Sequence, residues 1–134
     1  MRNKKSIIII IIVLAFTGAS TIISCTHPSQ GRATSVVSFS KDIIPIFTAS
    51  CALNSSCHLG ANGTNQDIDL DSSAAYNCII VKGLVSISNP SSSLLYVEVE
   101  GNGIAEMPKP PAPALPTSQQ NLILEWIKQG ALNN

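Results

Sequence analysis

Cys51-Ala52-Leu53-Asn54-Ser55-Ser56-Cys57-His58 is the stretch of this chain that decides how the rest is read. Within eight residues it brings together two thiols and an imidazole, soft and borderline donors that are also nucleophiles when deprotonated. Five residues separate the cysteines, which is wider than Cys-x-x-Cys-His, and Asn54 stands where that pattern has its first thiol. Forty-nine residues after His58 comes Met107-Pro108, a thioether in a proline-rich segment.

Two chemistries fit the cysteine pair. In covalent haem attachment the thiols add to haem vinyl groups, and the histidine beside the second thiol reaches iron. Five intervening residues can still close such a site, because loop entropy grows slowly with length. Alternatively, Cys51 and Cys57 pair as a local disulfide that staples the first helix to the loop after it. Met107 could fill a gap in the core, the usual work of a methionine, or ligate iron from a loop stiffened by prolines.

The first 24 residues read as a signal. Arg2, Lys4 and Lys5 precede an apolar run from Ile7 to Phe16 that is short for a membrane span. Ile22-Ile23-Ser24-Cys25 then resembles a bacterial lipoprotein signal, with Cys25 as the lipidated residue. Residues 25–38 read as a flexible tether, and 39–134 as one small domain. Beyond the signal, five basic residues face eight acidic ones, a net charge of −3. No basic patch exists for a phosphate backbone, so no nucleic-acid partner is expected. Only five aromatics remain, Phe39, Phe47, Tyr76, Tyr96 and Trp126. So thin a core in a small domain calls for a disulfide, metal or cofactor, and a buried macrocycle would meet the need.

The pattern within the domain is helical. Ser40 is expected to cap a helix running to about Ser50, with Asp42 in its first turn, Pro45 near its start, and Ile43, Ile44, Phe47 and Cys51 on one face. Leu59 to Gln66 is a loop by its glycines and asparagines. Asp71 or Ser72 caps a second helix with Ala75, Cys78, Ile79 and Val81 inward, Cys78 as a small core residue. Asn89-Pro90 opens a third helix over Ser91 to Val97, although the alternation Tyr96-Val97-Glu98-Val99-Glu100 argues for a strand instead. Gly101 to Leu115 is an extended loop. Thr117 and Gln120 form a capping box for a last helix with Leu122, Ile123, Trp126 and Ile127 as its apolar stripe, ended by Gly130. Asp67-Ile68-Asp69-Leu70-Asp71 lacks the glycine and glutamate of an EF-hand loop and reads as an extended segment with Leu70 inward. No catalytic constellation of Ser/His/Asp or paired carboxylates can be assembled, so an enzyme is not expected.

Phe39-Ser40-Lys41-Asp42-Ile43-Ile44-Pro45-Ile46-Phe47, Pro90-Ser91-Ser92-Ser93-Leu94-Leu95-Tyr96, Met107-Pro108 and Trp126-Ile127-Lys128-Gln129-Gly130-Ala131 follow one another in the order of planctomycete-type cytochrome c domains, which this chain resembles from residue 39 to residue 131. The resemblance implies an all-α, class I-like c-type cytochrome fold, with three to four short helices and long irregular loops around one haem. It implies Cys51 and Cys57 as thioether positions for haem c through one or both bonds, His58 as proximal iron ligand and Met107 as distal ligand. The function implied is electron transport between redox proteins of an electron-transport chain. Together with Cys25, it puts the protein in a bacterial cell envelope, held to the membrane by its N-terminal lipid on the periplasmic side or at the outer membrane. The rival expectation is a haem-free, disulfide-stapled lipoprotein of the same fold, acting as a binding or structural subunit.

Overall fold

The computed structural model describes residues 35–62 and 66–134. The proposed signal, Cys25 and residues 25–34 of the proposed tether lie outside the described residues. A π-helical turn, Phe39–Ile43, runs into α1 (Ile44–Ser50), followed by α2 (Ala75–Val81), a 3-10 turn at Pro90–Ser92, α3 (Leu94–Glu100) and α4 (Thr117–Lys128). No strand occurs among the described residues, and the fold is all-α. No described helix is long and apolar enough to cross a membrane.

Ser38, not Ser40, caps the first helical segment. Its Oγ accepts from the Lys41 N–H at 3.3 Å, while its own N–H donates to Asp42 Oδ2 at 2.7 Å. This reciprocal pair resembles a capping box displaced by one residue, because the first turn is π-helical. The widened turn accommodates Pro45, whose ring would clash with the Lys41 carbonyl in a regular α-helix. Ser40 turns instead to the other end of the chain, where its N–H and Oγ both donate to the Asn134 carbonyl at 2.9 Å.

The domain starts earlier than residue 39. Val37 is 5% exposed, its N–H donates to Gln129 Oε1 at 2.8 Å, and its carbonyl accepts from Asn134 Nδ2 at 3.3 Å. Val37, assigned to the tether, therefore belongs to the core. At this end Phe39 lies 5.1 Å from Trp126 and 5.3 Å from Tyr76, ring centre to ring centre, with Phe47 at 6.3 Å. Edge-on and tilted arrangements of this kind suit the ring quadrupoles. Both polar tips are satisfied, Trp126 Nε1 by the Leu132 carbonyl at 2.9 Å and the Tyr76 hydroxyl by the Ala131 carbonyl at 3.1 Å.

The remaining helices are set by burial more than by their caps. Asp71 Oδ1 accepts from the Ser73 N–H and hydroxyl, which lowers its pKa, and a turn over residues 72–74 intervenes before α2 begins. Ala75 and Ile79 are buried as expected, but Val81 is 84% exposed and Cys78 is only half-buried. Residues 94–100 are helix and not strand, with Leu95, Tyr96 and Val99 on the inner face. Ser93 adopts an extended conformation and breaks the 3-10 turn from α3. The Thr117–Gln120 capping box does not form. Pro116 precedes α4, its carbonyl accepts from the N–H groups of Gln119 and Gln120, and the Gln120 amide donates back to the Leu115 carbonyl at 2.9 Å. Ile123, Trp126 and Ile127 are fully buried, and α4 packs on both the π-helical turn and α3.

Candidate functional site

Cys51 ends α1, and the next seven residues return to it. The His58 N–H donates to the Cys51 carbonyl at 3.0 Å. Within the loop Asn54 is the organiser. Its carbonyl accepts from Cys57 and Leu59 at 3.0 and 3.3 Å, and its side-chain oxygen accepts from the Ser56 N–H at 2.8 Å. An Asx turn of this kind gathers the extra residues of the wide spacing into a compact loop, so Cys51 is brought back to His58 despite them. Cys51 and Cys57 are thiols in the structure. Burial first, and the charge of Cys57 second, push the Cys51 pKa up to about 11.

A second segment fixes His58. Nδ1 lies 3.1 Å from the Ile68 carbonyl, which can only accept, so Nδ1 carries a proton and the neutral imidazole keeps its lone pair on Nε2. The Leu70 N–H donates to the His58 carbonyl at 2.8 Å. Asp69 Oδ1 ties the same two strands of chain together through the N–H groups of Gly60 and Asp71, at 3.1 and 2.9 Å. A backbone carbonyl on the far ring nitrogen is the arrangement that orients a metal-binding histidine and raises its basicity.

Met107 arrives from the irregular segment between α3 and α4. Its N–H donates to the Glu98 carbonyl at 3.0 Å, and the Glu98 carboxylate accepts from the N–H groups of Ile104 and Ala105. Met107 and His58 then line two adjoining pockets, of about 790 and 580 Å³ including their open mouths. Cys51 and Lys109 also line both, and Cys57 lines the smaller. The larger pocket is walled by Leu70, Leu84, Leu94, Leu95 and Val99. Concave, mostly apolar sites with a few polar groups converging on them are the usual form of a small-molecule or cofactor site.

Cys51, Cys57, His58 and Met107, the cofactor-binding residues expected from the sequence, thus line the smaller pocket together from two separate stretches of chain. Cys78 stands apart, its sulfur accepting from the Asp69 N–H at 3.2 Å. Among the described residues no group of three or more His, Cys, Asp or Glu side chains converges as a metal site. Sequence reasoning missed Ile68, Glu98 and Lys109. Nothing in the sequence marks a carbonyl donor such as that of Ile68, whereas Gly103, five residues after Glu98, was a usable sign of close approach. Comparison with protein-family models, curated proteins and solved structures gave no match to this chain.

Proposed function

We propose that this protein is a small electron carrier of cytochrome c-like fold that binds one haem between His58 and Met107. One observation carries the reading: an imidazole with its Nδ1 proton held by the Ile68 carbonyl and a thioether on a different segment line the same apolar pockets. The donor set fits the group. A porphyrin supplies its own equatorial nitrogens, so the protein need offer only two axial donors and apolar walls, and a cluster of three or more protein ligands is not required. His58 through Nε2 and Met107 through its sulfur would hold the iron, and Cys57 and Cys51 would take the thioether bonds. When bound, the haem iron supplies a one-electron couple exchanged with other redox proteins. This chain's residues fix the imidazole, hold the thioether and line the cavity with leucines, a low-dielectric setting that tunes the couple. Cys25 is the proposed lipid anchor, placing the domain at the cell envelope.

The second reading, a haem-free lipoprotein stapled by Cys51 and Cys57, is favoured by one observation, the loop closed by the His58 N–H on the Cys51 carbonyl, which puts both cysteines on the lining of one pocket. Expression in a host that matures c-type cytochromes separates the two. Wild-type protein is expected to be red, with covalent haem that resists acid-acetone extraction, and His58→Ala to lose most of it. Colourless wild-type protein from such a host, or His58→Ala with an unaltered spectrum, contradicts the proposal.

A further inference from the structure

We infer that Glu98 is the positioning residue for Met107, an inference that rests on the reading of Met107 as an iron ligand. A thioether is a weak donor, so its bond to a metal depends on how firmly its loop is held. Residues 101–116 have no regular structure to hold them. Glu98 supplies the restraint from the last turn of α3, with all three of its oxygens. Its carbonyl accepts from the Met107 N–H at 3.0 Å, Oε1 accepts from Ile104 at 3.2 Å, and Oε2 accepts from Ala105 at 2.8 Å. Hydrogen bonds to an ionised carboxylate are roughly twice as strong as neutral ones.

The fold is shaped around this contact. Gly101, at φ +82°, ends α3 in the left-handed conformation and turns the chain back over its own last turn. Two residues on, a Cβ at Gly103 would overlap the Glu98 carboxylate, so a side chain there would push the carboxylate off the loop N–H groups. The neighbouring acids do other things. Glu100 accepts from the Tyr96 hydroxyl at 3.3 Å, and Glu106 is exposed. Glu98 itself lines the larger pocket, on the same wall as Leu94, Leu95 and Val99. A loop clamped at 104, 105 and 107 fixes the backbone from which the Met107 side chain reaches the pocket.

Glu98→Gln tests this with almost no change in volume. The amide keeps one acceptor oxygen but places an NH₂ donor against the other loop N–H. In haem-free chain, hydrogen exchange at Ile104 and Ala105 is expected to quicken about tenfold, the worth of a hydrogen bond to a charged group, while α4 is unchanged. In haem-loaded protein, Glu98→Gln is expected to keep its haem content and lose most of the near-infrared sulfur-to-iron absorption. Its reduction potential should fall, and its affinity for added imidazole should rise about tenfold. Glu98→Gln with wild-type exchange at both amides overturns the clamp. Faster exchange with an unaltered sulfur-to-iron band and imidazole affinity overturns the positioning role. A wild type that takes up no haem defeats the haem reading and the ligand role with it, and the exchange data then decide the clamp alone.

Discussion

The two ends of this domain are built by different means. Around Phe39, Tyr76 and Trp126 the chain is closely packed, with rings in contact and both polar tips bonded to backbone carbonyls. Around Cys51, His58 and Met107 the walls are also apolar but face open pockets, and the loops there are held by hydrogen bonds to one another and to Glu98 of α3. Apolar burial is the main stabilising term in a small domain, so the aromatic end should carry the fold. The pocket end gives up that packing and keeps donors in fixed positions. Stability and chemistry are thus assigned to separate parts of one small chain.

The sharpest way to break this contrast is at Trp126. Trp126→Ala removes the largest fully buried side chain and is expected to cost about 3–5 kcal/mol in urea unfolding of the haem-free chain, enough to unfold a marginal domain. A loss near 1 kcal/mol would mean that the aromatic end does not carry the fold.

A smaller effect should come from Cys51 in the haem-free chain. Its thiol ordinarily ionises at 9.0, and the fold pushes this up to about 11. The folded chain therefore holds a proton that the unfolded chain has given up, so this contribution is intact below pH 9 and is lost as pH rises towards 11. The slope is at most about 1.4 kcal/mol per pH unit. Urea midpoints at roughly pH 8 and pH 10.5 should diverge more for wild type than for Cys51→Ser. An equal divergence would show that Cys51 is solvated in the fold.

The smallest expected effect on folding is Met107→Ala, about 1 kcal/mol or less in the haem-free chain, since the side chain is only half-buried. A fully buried methionine would cost about 2–5 kcal/mol. A cost in that range would make Met107 a core residue, and the difference between the two ends would disappear.

The same division governs what could be read from the sequence. The stripe Leu122, Ile123, Trp126 and Ile127 sits on one long helix, where a 3.6-residue period repeats often enough to be unambiguous. Its start was misassigned, because Thr117 and Gln120 have capping-box spacing while the true first turn uses the Pro116 carbonyl. Ser38 and Ser40 are both plausible caps two residues apart, and the choice depends on a π-helical turn that no local pattern announces. Tyr96 to Glu100 alternates like a strand, and only packing of Leu95, Tyr96 and Val99 makes it a helix. Val37 hid in a polar stretch, and its burial depends on Gln129 and Asn134, more than ninety residues away. At the site, Cys51, Cys57 and His58 were legible as a cluster and Met107 as a methionine in a rigid loop. The groups that hold them were not: the Ile68 carbonyl is backbone, and Glu98 works through backbone N–H groups.

The central claim, that the open end holds haem, is tested most directly by the intact mass and peptide map of the natively matured protein. A mass greater by one haem is expected, carried at least by the peptide containing Cys57 and His58. A protein without haem, lighter by two hydrogens and cross-linked between Cys51 and Cys57, would contradict it.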